Sequence, residues 1–128
     1  MPTEEAQAWF GAVYHAVQKV PLGRVTSYGH IARLIGYPER PRQVGVALKH
    51  LPSADGNSRM NDNTVPWQRV VNSKGGISPR GPDGARRQAE ALRREGVQVD
   101  SNSMGELSVA LEVYGWFPAE LDDESDGA

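Results

Sequence analysis

A chain of 128 residues, 38% hydrophobic and 23% charged, is sized for a single domain around one core. It contains no cysteine, which excludes disulfides, thiolate metal sites and thiol nucleophiles, and its three histidines share no metal-binding spacing. The net charge of −2 conceals five acids in the last nine residues; without them 14 basic residues face 11 acids, a balance of +3 compatible with a polyanionic partner.

The first predicted element is a helix over "TEEAQAWFGAVYHAVQKV". Thr3 caps it, Glu4 and Glu5 favour the positive end of its dipole, and Trp9, Val13, Val17 and Val20 recur at helical spacing toward a core. "PLG" stops it. "RVTSYGHIARLIGY" predicts a short second helix, capped by Thr26 or Ser27, burying Ile31, Leu34 and Ile35 and ending at Gly36. After the turn "PERP", Pro41 suits the first position of a third helix, in which Val44, Leu48 and Leu51 share one stripe. Arg42, Gln43, Gly45, Val46 and Lys49 lie largely off that stripe. Two short helices, a tight turn and an outward glycine suggest a helix-turn-helix. A plain three-helix core with a solvated arginine satisfies the same pattern.

Residues 52–64 lack apolar periodicity and form a polar loop. "VPWQRVVNSKGGISP" predicts a hairpin: Val70 and Val71 on the first strand, a turn at "NSKGG", and Ile77 on the return. A helix over "ARRQAEALRREG" follows, with Asp83 as its cap and Gly96 at its end. "VQV" and "LSVALEV" alternate as closing segments, and "ELDDESDGA" reads as a disordered acidic tail. The domain is therefore expected over 1–117 and the tail over 118–128. No run approaches the ~18 apolar residues of a membrane span, and no signal peptide is expected ahead of the first helix.

Four segments, "VTSYGHIARLIG", "RQVGVALKHL", "PWQRVVNSKGGIS" and "LRREGV", occur in the order found in the DNA-binding domain of O6-alkylguanine-DNA alkyltransferases. Over roughly residues 8–100 the chain resembles that family. The repair enzymes carry Pro-Cys-His-Arg-Val where this chain has "PWQRV". Tryptophan in the cysteine's place is the mark of the alkyltransferase-like proteins, which the sequence resembles most.

The resemblance implies a mainly α fold with small β elements, a winged helix-turn-helix like the alkyltransferase C-terminal domain. It also implies lost chemistry. In the enzymes a cysteine thiolate takes the alkyl group from guanine O6, helped by the next-door histidine and a downstream glutamate. Here Trp67 and Gln68 occupy the first two positions and Glu95 the third. An indole is a feeble nucleophile and an amide is no general base, so no alkyl transfer, catalytic residue, metal or cofactor is expected.

The same resemblance places "PRQVGVALKH" in the minor groove of double-stranded DNA. Arg42 would fill the gap left by an extruded guanine and Tyr28 would press on the neighbouring phosphate, with Gln43, Gly45 and Lys49 completing the contact. Trp67, Val70 and Arg80 would line the alkylguanine pocket, backbone carbonyls near Trp67 and Val70 facing the base and Arg80 stacking on it from the "ISPRG" lid. Pro66, Gln68, Arg69 and Glu95 would remain as scaffold of the former active site. The implied function is a non-enzymatic, monomeric sensor that flips O6-alkylguanine and flags it for nucleotide excision repair, in the nucleus or a nucleoid and with no membrane partner.

The residues also allow plainer roles. Trp67 can be a core aromatic, Arg80 a loop charge, Tyr28 a helix-end residue, Glu95 an acid paired with an arginine, and Arg86, Arg87, Arg93 and Arg94 solvated helix charges. Arg69 reads as structural. Two features depart from the family. Gln68 replaces a histidine, though its amide can still donate to Glu95. The 52–64 loop is longer than usual, either carrying Arg59 toward DNA or forming a disordered insertion. Two rival functions compete: a winged-helix regulator reading sequence, and a hydrolase or lyase using Glu95 as base.

Overall fold

The computed structural model describes residues 3–79 and 83–121; Arg80 and most of the expected acidic tail lie outside them. Helix α1 spans Glu4–Gln18, and Thr3 caps it as expected, its hydroxyl accepting from the Ala6 N–H at 3.1 Å. Val13, Tyr14, Ala16 and Val17 are its buried face, while Trp9 is half-buried.

Strand β1 (Thr26–Ser27) runs directly into helix α2 (Tyr28–Leu34). Of the two candidate caps Ser27 serves, its hydroxyl accepting from the His30 N–H at 3.0 Å. Gly36, at φ +94°, lets the chain close the helix with Tyr37 N–H donating to Ala32 O (2.9 Å) and Gly36 N–H to Arg33 O (3.0 Å). Ile31 and Ala32 fill the core, whereas Leu34 and Ile35 are only half-buried. Helix α3 (Pro41–Lys49) begins on its proline and buries Val44, Ala47 and Leu48 against α1 and α2. The helix-turn-helix is present, with its expected outer face outward.

Strand β2 (Val70–Val71) departs from the expected hairpin. It pairs in parallel with β1, Thr26 opposite Val70 and Ser27 opposite Val71. The turn at 72–76 forms around Asn72, whose side-chain oxygen accepts from the N–H groups of Lys74 and Gly76. Ile77, however, does not return along β2: its N–H donates to Leu107 O, and Gly76 bridges Ser108. Short valine runs carry no information about which strand they join. The parallel partner arrives only after a crossover through both helices.

Helix α4 (Gly84–Arg94) ends at Gly96 as expected. Asp83 occupies its N-cap position without capping it, because its carboxylate pairs with Arg86 at 3.2 Å instead. The wing is an antiparallel pair, β3 (Asp100–Ser101) and β4 (Leu107–Ser108). "VQV" is not itself a strand; Val97 and Val99 are buried just ahead of β3, and "LEV" opens a helical turn, α5 (Leu111–Tyr114). Chain order and pairing are those of a winged helix-turn-helix.

Successive residues of a strand point to opposite faces. Val70 therefore joins the core of α1, α2 and α3, while Val71 joins a second core with Val25, Ile77, Ala89 and Leu92. The end of the described chain packs back on both. Trp116 N–H donates to Val25 O at 2.7 Å, His30 Nε2 donates to Pro118 O at 2.7 Å, and Leu121 lies against the first core. Pro118 and Leu121 thus make contacts with the packed helices.

Candidate nucleic-acid interface

The outer face of α3 owes its position to α1. Trp9 Nε1 donates to Gln43 O at 3.0 Å, and the Tyr14 hydroxyl donates to Ala47 O at 2.7 Å. Two anchors one turn apart fix both rotation and depth of the helix. Burial pushes the Tyr14 pKa above its usual value, so the hydroxyl stays protonated and donating. The Arg40 guanidinium lies 4.7 Å from the centre of the Tyr37 ring and packs the turn before α3.

On the face so presented, Arg42, Gln43 and Lys49 are exposed, and Arg42 and Lys49 form no ion pair among the described residues. Tyr28, first residue of α2, stands beside Gly45. A Cβ on Gly45 would lie 3.8 Å from Tyr28 Cε1, an ordinary contact, so nothing inside the protein requires glycine there. Tyr28, Arg42, Gly45, Lys49 and Pro79 surround a cleft of about 320 Å³.

Lys49 and Pro79 are shared with a second cleft of about 510 Å³, whose walls include Leu48, Leu51, Asp62, Trp67 and Arg87. Trp67, Asp62 and Arg87 are shared in turn with a third, of about 770 Å³. Three adjoining clefts that share these side chains therefore extend from the outer face of α3 to Trp67 and past it.

Trp67 opens a 3₁₀ turn (Trp67–Arg69) rather than extended strand. Its N–H donates to Val65 O at 2.7 Å, and Arg69 N–H donates to Pro66 O at 3.0 Å. The indole is partly buried, its inner edge against the first core and its remainder on the recess. The end of the 52–64 loop sets this turn. Asn61, buried, accepts through its side-chain oxygen from the N–H groups of Asn63 and Thr64 and donates to Ser58 O. Gln18 of α1 donates to Thr64 O at 3.0 Å. The loop is hydrogen-bonded to itself and to α1.

Behind Trp67 the side chains of Gln68, Arg69 and Glu95 form a closed network. The Glu95 carboxylate accepts from Gln68 Nε2 at 2.8 Å and from Arg69 Nε and Nη2 at 2.9 and 3.0 Å. Arg69 Nη1 donates to Val20 O at 2.8 Å. Side chains of Arg69 and Glu95 are 14% and 12% exposed, which makes this a near-buried bidentate pair rather than a surface one. Gln68 thus occupies the carboxylate as its amide permits, and Arg69 has the structural role expected of it. With no cysteine in the chain and no free carboxylate oxygen here, the geometry offers neither nucleophile nor general base.

Val70 does not line the recess. Its side chain is in the core and its carbonyl accepts from Gln88 Nε2 at 2.9 Å, because β2 is held against α4. Arg80 lies outside the described residues. The α4 arginines separate: Arg86 pairs with Asp83, Arg93 donates to Val99 O at 2.9 Å, and Arg87 and Arg94 line the recess. Sequence reasoning overlooked Gln88, wholly buried, which donates to both Gln68 O and Val70 O. Its place four residues before Leu92, on the buried stripe of α4, was the available signal. It also overlooked Asp62 and Pro79, for which no local signal existed. Among the described residues no group of three potential ligands is placed to hold a metal ion.

Comparison with known proteins supplies the context for this geometry. The family model for the DNA-binding domain of 6-O-methylguanine DNA methyltransferase matches residues 8–97. Alkyltransferase-like protein 1 of Schizosaccharomyces pombe is 42% identical over 111 residues, covering 86% of this chain and 95% of that one. A DNA base-flipping protein of Escherichia coli is 43% identical over 104 residues, covering 81% and 70%. The crystal structure of S. pombe Atl1 in complex with damaged DNA containing O6-carboxymethylguanine superposes with a TM-score of 0.75 at 41% identity, over 92% of this chain and 100% of that one.

Proposed function

The chain belongs to the 6-O-methylguanine DNA methyltransferase DNA-binding family, as an alkyltransferase-like member, and on that premise we propose that it is a non-enzymatic sensor of O6-alkylguanine in duplex DNA. The observation that carries this reading is Trp67 in the cysteine's position, on the wall of clefts that adjoin α3 and backed by a fully engaged Glu95. Such a site holds a base and does nothing to it.

In this reading α3 enters the minor groove, and Gly45 with its bare surface lets the sugar-phosphate backbone come close. Arg42 takes the place of the extruded guanine in the stack, Tyr28 presses on the adjacent phosphate, and Gln43 and Lys49 contact the backbone. Extrusion costs a few kcal/mol, less for a base whose pairing alkylation has already weakened. An aromatic surface such as Trp67 returns about 1–3 kcal/mol by stacking. Arg42 and Lys49, with no ion pair among the described residues, release counterions on binding. The held lesion is then passed, by a monomer, to nucleotide excision repair proteins in the nucleus or a nucleoid.

Fluorescence anisotropy at one salt concentration tests this, with a duplex containing O6-methylguanine against the same duplex containing guanine. Tighter binding to the lesion, with the methyl group still on the DNA afterwards, is expected. Equal affinity would sink the sensor and favour a regulator that reads sequence.

A further inference from the structure

We propose that Asp62 and Arg87 sort O6 substituents by charge, Arg87 drawing a carboxylate-bearing group into the recess beyond Trp67 and Asp62 opposing it. The inference rests on the sensor reading and deepens it. A base lying on Trp67 has clefts on both sides of the indole, and about 770 Å³ on the far side can take its O6 substituent.

Among the described residues, the charged side chains common to both clefts that meet at Trp67 are Asp62 and Arg87. The other charges of the far cleft are placed differently. Arg69 and Glu95 neutralise each other, and Glu90 and Arg94 line the far cleft but not the near one.

The two residues are held in contrasting ways. Asp62 sits in the long 52–64 loop, pinned by its own N–H donating to Pro52 O at 3.0 Å and its carboxylate accepting from Ala54 N–H at 3.1 Å. Arg87 projects from the first turns of α4, and its guanidinium has no hydrogen bond or ion pair among the described residues, not even to Asp62. A free planar guanidinium matches a carboxylate with two parallel hydrogen bonds. A fixed carboxylate lining the same two clefts raises the energy of an anionic guest and favours a neutral or hydrogen-bond-donating one.

The test uses the full chain and three duplexes of one sequence, carrying guanine, O6-methylguanine or O6-carboxymethylguanine, titrated by anisotropy at fixed salt. The quantity read is the ratio of the carboxymethyl to the methyl affinity. Arg87→Ala is expected to lower that ratio about threefold to tenfold, and Asp62→Asn to raise it about twofold. Arg87→Lys, which keeps the charge without the fork, should fall between. If Arg87→Ala weakens all three duplexes by one factor, Arg87 is a phosphate contact and the proposal is overturned. Unmoved ratios in both Arg87→Ala and Asp62→Asn overturn it equally. Should the unaltered protein not distinguish O6-methylguanine from guanine, the sensor reading itself falls, and this assignment with it.

Discussion

On the outer face of α3, Arg42 and Lys49 stand in solvent without an ion pair among the described residues. At the former active site, Arg69 is held by Glu95 and Val20 O, and Glu95 is shared with Gln68. Both regions are charged, both lie beside one recess, and they serve opposite ends. A cation left unpaired keeps its electrostatic attraction for a polyanion, whereas a near-buried cation left unpaired would destabilise the fold. On the proposed reading, the difference separates binding residues from scaffold residues more sharply than residue type does.

The largest effect should come from opening the closed region. Glu95→Ala leaves the Arg69 guanidinium and the Gln68 amide without their acceptor, and urea denaturation should report a loss of about 2–4 kcal/mol. A loss under ~0.5 kcal/mol, the size typical of exposed pairs, would show that the network is no more than a surface contact.

Next come the two ends of the recess, which should respond differently. Trp67→Ala should erase about 1–3 kcal/mol of the preference for O6-methylguanine over guanine. Arg42→Ala should weaken binding to both duplexes by roughly tenfold, the worth of one charged contact. Interchanged behaviour would reverse the assignment of α3 as the DNA-facing element.

A smaller effect is expected where α3 is docked. Tyr14→Phe removes the hydrogen bond to Ala47 O and should cost about 1 kcal/mol in denaturation at neutral pH. Because burial raises the folded pKa of Tyr14 above the unfolded value of 10.0, the unfolded chain gives up its proton first. That share of stability is fully present below pH 10 and is lost as pH climbs through the folded pKa. The alkaline loss should shrink in Tyr14→Phe, as measured by thermal unfolding across a pH series.

Least of all should Gly45→Ala disturb the fold. The added methyl meets only the Tyr28 ring at ordinary distance, and helix propensity favours alanine by about 1 kcal/mol. Thermal stability should hold or rise slightly while duplex affinity falls. Unchanged affinity would mean that no backbone comes close at Gly45.

Much of the helical half was legible. Thr3, Pro41, Gly36 and the Val44–Leu48 stripe act through neighbours within one or two turns, so capping and periodicity reveal them. The pocket half was legible only in its motif residues. Pro66 to Arg69 were recognised as a unit, and the Gln68–Glu95 bond was foreseen as an option for an amide. The Val70 carbonyl also accepts from a glutamine 18 residues away, a partner no local pattern reveals. Ile77 was given the wrong strand partner for the same reason: its partner lies 30 residues on.

Residue identity alone settles the chemistry that is closed to this protein. Without cysteine, and with Trp67 and Gln68 in the reactive positions, no thiolate can form whatever the fold. It also determined the helices, since caps, breakers and apolar stripes act over a few residues. Only the tertiary structure decided that β2 lies parallel to β1, that Glu95 is consumed by Arg69 and Gln68, and that the 52–64 loop brings Asp62 to Trp67. Those are choices among distant partners, settled by which burial and hydrogen bonding the whole chain can satisfy at once.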